Sequence, residues 1–224
     1  MVRRVLGRIN RAEKGITGLE TAIILIAFVV VAAVFAYTAL SAGLFSTQKS
    51  QEAVYSGLEE TRSTLELKGG VVAYKGDSNI SSSVGKVEFT VSNALEGEAI
   101  DLTPPYTYDG TDLSSSGLDH VVQISYNDEN VFVPDCAWTL SWVGKHSDDY
   151  LLEDDEKAVI TVWFHNYASG QYSPSGESTT HFLGEGNWVQ TNHTFTLEVK
   201  PPKGAVLNIE RTTPAHLDTV MDLH

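Results

Sequence analysis

The sequence predicts an α+β chain: a long N-terminal α-helix followed by an all-β, immunoglobulin-like sandwich or barrel. Three observations carry this. Ile23 to Leu40 is an 18-residue run without a charge, no proline occurs before Pro104, and after Gly70 the apolar period changes from helical to alternating.

The first element is the apolar run. A helix needs about 17–25 apolar residues to cross a bilayer, so Ile23–Leu40 qualifies. Arg3, Arg4, Arg8, Arg11 and Lys14 all precede it. That bias keeps the N-terminus in the cytoplasm and places everything after residue 40 outside. An ordinary secretory signal has an apolar core of about 7–15 residues and then a small-residue cleavage site. This run is longer, and it continues unbroken into "LFSTQKSQEAVYSGLEETRSTLEL" (44–67). There Leu44, Leu58 and Leu65 share one seven-residue register, with Gln51 the polar exception and Val54 three residues beyond it. The stripe is moderately amphipathic. Gly43 and Gly57 each weaken the helix by about 1 kcal/mol against alanine, and Gly69-Gly70 reads as its stop. The expected helix therefore runs from Ile16 to Leu67, 52 residues and roughly 78 Å long. A single-pass anchor does not need that length.

Strands follow. Val87, Phe89 and Val91 alternate with Lys86, Glu88, Thr90 and Ser92, the pattern of a half-buried strand. Similar runs are "GGVVAY" (69–74), "HVVQISY" (120–126), "AWTLSWV" (137–143), "AVITVWF" (158–164), "HTFTLEV" (193–199) and "AVLNIE" (205–210). About seven short strands between turn clusters indicate a two-sheet sandwich or a barrel. The tail after Pro214 is ambiguous.

Composition narrows the function. The net charge is -14. Residues 1–15 hold five basic residues and Glu13, so the remainder carries 10 basic against 28 acidic residues, a net of -18. An acidic body argues against a nucleic-acid partner. The single cysteine, Cys136, excludes an internal disulfide and a cysteine zinc cluster; it reads as a small packing residue. No HExxH pair, GxSxG elbow or P-loop occurs, and no cofactor is implied. His165 and His193 read as ordinary edge or surface histidines. The acidic stretch with Asp148, Asp149 and Glu153 to Glu156 could attract a hard cation but lacks EF-hand spacing, and it reads as a solvated loop. Asn79-Ile80-Ser81 and Asn192-His193-Thr194 are N-glycosylation sequons. Outward topology makes them usable, Asn79 being the better candidate because it lies in a Gly/Ser-rich loop whereas Asn192 starts a strand.

The leader ending in Lys14-Gly15, followed by Ile16-Thr17-Gly18-Leu19-Glu20 and the apolar helix, resembles a type IV pilin-type (class III) signal. In more detail, "TGLETAIILIAFVVVAAVFAYTALSAGLFSTQKSQE" resembles the N-terminal helix of archaeal flagellins (archaellins), particularly those of methanogens, and "FTLEVKPPKGAVLNIERTTP" (195–214) resembles their C-terminal strands. Residues 75–190 carry no matching motif. The resemblance implies a signal peptide over 1–15, a polymerisation helix over 16–68 and an outer β-domain over 69–224. It implies cleavage between Gly15 and Ile16 by a prepilin-type signal peptidase, a precursor in the cytoplasmic membrane, and export by a membrane assembly and motor complex. The product is a homopolymer, the extracellular archaellum filament, and not an enzyme. Glu20 becomes the fifth mature residue, either an interfacial carboxylate suited to the helix dipole or a partner for the Ile16 α-amino group during docking. Ala27, with other alanines, lets helices approach closely. Val30 lies deep in the helical core, and Leu44, Val54, Leu58 and Leu65 need cover beyond the bilayer. Two other readings stay open at this level: an adhesive archaeal pilin, and a membrane-anchored β-domain binding module.

Overall fold

The computed structural model describes residues 2–95, 98–173, 181–184 and 186–223, with side chains from Gly18 onward except at 59, 60 and 62. The chain divides into two compact units, residues 1–55 and 56–224.

Helix α1 spans Val2–Arg62, about 90 Å of axis. It ends five residues before the predicted Leu67. Strand β1 (Leu65–Lys75) takes over, and Leu65, expected on the helix, is buried in the β-unit at 3% exposure. The reason lies in the local pattern. Leu65-Glu66-Leu67-Lys68 alternates apolar and charged residues, and it finds a partner: Leu65 pairs with Asn93 and Leu67 with Val91. A long-range ladder with burial on one face outweighs a marginal last helical turn. Gly69-Gly70 is correspondingly not a stop. It sits in a bulge, where the pairing register shifts between Lys68 and Val71, and Gly69 takes a φ of 84° that other residues reach only with strain.

The remaining strands are β2 (Val84–Asn93), β3 (Ile100–Asp101), β4 (Tyr106–Tyr108), β5 (Leu113–Ser115), β6 (Gln123–Asn127), β7 (Phe132–Val133), β8 (Ala137–Val143), β9 (Leu151–Leu152), β10 (Lys157–Trp163), β11 (Asn166–Ala168), β12 (Gln171–Ser173), β13 (Thr194–Lys200), β14 (Leu207–Thr212) and β15 (Val220–Leu223). The main sheet has the order β15-β1-β2-β10-β8, and a second has β14-β13-β6-β7. Three two-stranded ribbons, β3–β9, β4–β5 and β11–β12, complete the unit. Every pairing among the described residues is antiparallel. The sheets stay open, so the architecture is sandwich-like and not a barrel. The ambiguous tail supplies β15, which pairs with β1 from Val71–Leu223 to Tyr74–Val220.

Alternation decides which faces meet. Val87, Phe89 and Val91 of β2 and Ile160 and Val162 of β10 join Ile124, Tyr126, Phe195, Leu197 and Ile209 of the second sheet in one core. Trp138 of β8 is among its largest fully buried side chains. Tyr126 stacks on Phe195 at 5.8 Å, and Phe164 meets Phe195 edge-on at 5.6 Å, both favoured aromatic geometries. Cys136 is buried there, and burial pushes its thiol up to about 12, so it packs as an apolar residue. A second, smaller cluster lies on the opposite face of the main sheet. Trp163, Ala137, Tyr172, Leu113, Phe182 and Ile80 form it, with Tyr106, Tyr167 and Trp188 packed around.

Candidate functional site

The helix carries the candidate site. From Gly18 to Leu58 every described residue is exposed, and eighteen large apolar side chains between Leu19 and Leu58 are among them. Covering a single such side chain is worth about 1.5–3 kcal/mol, so the whole surface represents tens of kcal/mol that water cannot satisfy. Ile23–Leu40 is apolar on all sides, which marks a helix for lipid or for a crowded interior. The segment Gly18–Leu58 is long and apolar enough to cross a membrane.

Four hydroxyl residues of this helix are made compatible with such surroundings by their own backbone. Thr38 donates to the Phe35 carbonyl at 2.9 Å, Thr47 to Gly43 at 2.9 Å, Ser50 to Ser46 at 2.9 Å and Thr61 to Gly57 at 2.9 Å. Each hydroxyl is satisfied within one turn and asks nothing of a neighbour. Ala27 and Val30 are one turn apart. Leu44, Val54 and Leu58 fall within about 80° of one another at 100° per residue. Glu20 is exposed. Gly15 and Ile16 lie on the helix, and their side chains are outside the described ones. Leu65 is the exception already noted, since it belongs to the β-unit core.

The two sequons change places. The Asn79 side-chain N–H donates to the Tyr172 carbonyl at 3.0 Å, so a glycan there would disturb the hydrogen bond that ties this loop to β12. Asn192 does not start a strand. It occupies the turn before β13 at a φ of 51°, is exposed, and its side-chain amide has no partner among the described residues.

The acidic loop is held by one of its own members. Glu156 is buried; it accepts from the Ser147 backbone N–H at 2.7 Å and from that of Glu153 at 3.0 Å. No group of three or more His, Cys, Asp or Glu among the described residues is arranged for a metal ion. In the sequence these acids read as a solvated charge run, and nothing in the spacing distinguishes Glu156.

Two histidines also differ from expectation. His193 is half-buried, with Nε2 2.9 Å from Asp128 Oδ2. That carboxylate also accepts from the Tyr126 hydroxyl at 2.6 Å and from the backbone N–H groups of Asn130 and Val131, each at 2.7 Å. Burial pushes the Asp128 carboxyl up, but these donors outweigh it and hold it below the ordinary carboxylate range. His165 is no surface residue: it is 1% exposed, and burial lowers it to about 4 against an opposing pull from Asp77.

With the geometry in place, comparison with known proteins identifies the chain. The archaeal-type flagellin family model matches residues 15–211. This chain belongs to the archaeal-type flagellin family. It is 39% identical to probable flagellin 1 of Archaeoglobus fulgidus over 96% of this chain and 98% of that one. It is 31% identical to probable flagellin 1 of Aeropyrum pernix over 93% and 96% of the two chains. Among solved structures it is similar to the archaeal flagellum of Methanospirillum hungatei strain JF1, with a TM-score of 0.57 and 29% identity over 92% of this chain and 98% of that chain. The archaeal-type flagellin fold is thus the one the sequence predicts, a long helix leading into sandwich-like sheets. The family is one of structural filament proteins, and this flagellin is not an enzyme.

Proposed function

We propose that this flagellin is the structural subunit of an archaellum, an extracellular homopolymer built through α1. The observation that carries the reading is the exposed apolar surface from Leu19 to Leu58, on a chain whose β-unit already has its own closed core. Lipid covers that surface first. The eleven Leu, Ile, Phe and Val residues between Ile23 and Leu40 hold a precursor in the cytoplasmic membrane by roughly 3–7 kcal/mol at about 0.3–0.6 kcal/mol each. Like helices then replace lipid, with Ala27 allowing close approach and Leu44, Val54 and Leu58 covered by adjacent subunits. A prepilin-type signal peptidase cuts between Gly15 and Ile16, and a membrane assembly and motor complex extracts and rotates the polymer. Glu20 pairs with the new Ile16 α-amino group during docking. Of the two sequons, Asn192 carries the glycan, a reading supported by its exposure and by a side-chain amide without a partner among the described residues.

Val30→Asp tests the core. A charge at the centre of an apolar helix costs about 2.5–3.5 kcal/mol on insertion scales, and this substitution should abolish filaments and swimming. Normal filaments from the variant would reject a helical core. Mass spectrometry of the mature subunit should find Ile16 first, and a terminus at Met1 or Val2 would reject the cleavage. Glu20→Gln keeps the shape without the charge; assembly at the normal rate and length would reject the pairing.

A further inference from the structure

The outer face of the main sheet is not fully covered. The ribbon β4–β5 and the aromatic cluster around Trp163 close one end of it, and beside them lies an open cleft of about 330 Å³. Its volume is at the low end of small-molecule sites, which run to about 300–1,000 Å³. Register defines the floor. Glu88 of β2 stands opposite Thr161 of β10, and Thr161 opposite Thr139 of β8, so a carboxylate and two hydroxyls form one row across three strands. Lys86, opposite Trp163 in the next row, donates to Glu88 Oε1 at 2.7 Å. The walls are Tyr108 and Tyr150, each 40% exposed.

We propose that this cleft binds a neutral pyranose, a sugar ring with free hydroxyls. Three features of the cleft match three of the ligand. The half-exposed rings of Tyr108 and Tyr150 suit the C–H face of a sugar; Tyr108 already donates its hydroxyl to the Gly110 carbonyl at 2.8 Å and packs on Trp163, so what it adds is apolar ring surface. The floor offers directional groups of both kinds. The Thr139 hydroxyl already accepts from Trp163 Nε1 at 3.1 Å, so its proton remains to donate, while the Thr161 hydroxyl has no partner among the described residues and can do either. Charge selects against acidic sugars. Lys86 is neutralised by Glu88, and the surrounding protein carries a formal charge of -14, which repels anions. The sugar could be a glycan on a neighbouring subunit or a polysaccharide from outside, and the chemistry is shared.

The test uses the full-length chain, as filaments or in detergent, with a panel of neutral methyl hexopyranosides read by saturation-transfer NMR. At least one pyranoside should receive saturation on its ring C–H protons. Thr161→Val, which keeps the shape of the floor, should weaken binding about tenfold or more, as should Tyr108→Ala, whereas Glu210→Gln on the other sheet should leave it unchanged. Combining Asn79→Gln with Asn192→Gln separates the sources. If a neighbour's glycan fills the cleft, its loss strengthens binding of the free pyranoside; if the ligand is external, binding is the same. Absence of transfer from both the natural chain and the double variant overturns the proposal, and so does binding that Thr161→Val leaves intact.

Discussion

Buried polar side chains set the acid response of the β-unit. His165 stays neutral because its Nε2 is buried without a partner among the described residues. Its folded value of about 4 lies below an unfolded value of about 6.5. Between those limits the unfolded chain binds a proton that the folded chain does not, so stability falls as pH drops from about 6.5 to about 4, by on the order of 3 kcal/mol. His165→Leu should flatten that window, seen as a smaller loss of melting temperature between about pH 7 and pH 4.5 by near-ultraviolet circular dichroism; an unchanged loss would contradict the assignment. Asp128 acts lower. Its carboxyl is held down by its donors, so its contribution is present above about pH 4 and lost only below. Glu156→Gln should cost about 1–3 kcal/mol, because an amide cannot accept from both the Ser147 and Glu153 backbones as a carboxylate does. In the sequence His165 reads as an ordinary edge or surface histidine and Glu156 as one of a charge run, because only the fold supplies the burial of the one and the partners of the other.

At the level of elements, periodicity is legible in the longer strands with one face on the core, and not in β15, whose four residues put only Met221 and Leu223 there. β8 and β10 lie within a residue of the apolar runs 137–143 and 158–164, because their alternation is long enough to be unmistakable. The short ribbons β3–β9 and β4–β5 are two or three residues per strand and carry no period at all. The helix end was misjudged for a different reason: Leu65 satisfies both a seven-residue register and a two-residue alternation. The core position has a measurable consequence. Leu65→Ala should destabilise the β-unit by about 2–5 kcal/mol, read by chemical denaturation, whereas Leu58→Ala should leave that unit unchanged and act on filament formation alone. Equal effects of both on β-unit stability would return Leu65 to the helix. Gly204 gives a sharper constraint at the neighbouring joint. It has a φ of 96°, and a Cβ there would collide with the Ser63 carbonyl, so Gly204→Ala should destabilise by more than the roughly 1 kcal/mol of a strained φ.

For the whole molecule, charge and assembly pull in opposite directions. Residues 16–224 carry a net charge of -18 by formal count, and polymerisation brings many such bodies together. Screening length falls from about 10 Å at 0.1 M salt to about 3 Å at 1 M, so filaments should shorten or dissociate when salt is withdrawn. Electron microscopy across a salt series checks this, and filaments that lengthen at low salt would contradict it. The pairing of β1 with β15 also orders events in time. Val71 waits for Leu223, about 150 residues behind it in the chain. A ribosome must therefore release Val220 to Leu223 before the strand that follows the helix gains its outer neighbour. The helix, whose hydrogen bonds are all local, can thus form long before the unit behind it has its last strand, and the two ends of the chain mature at different times.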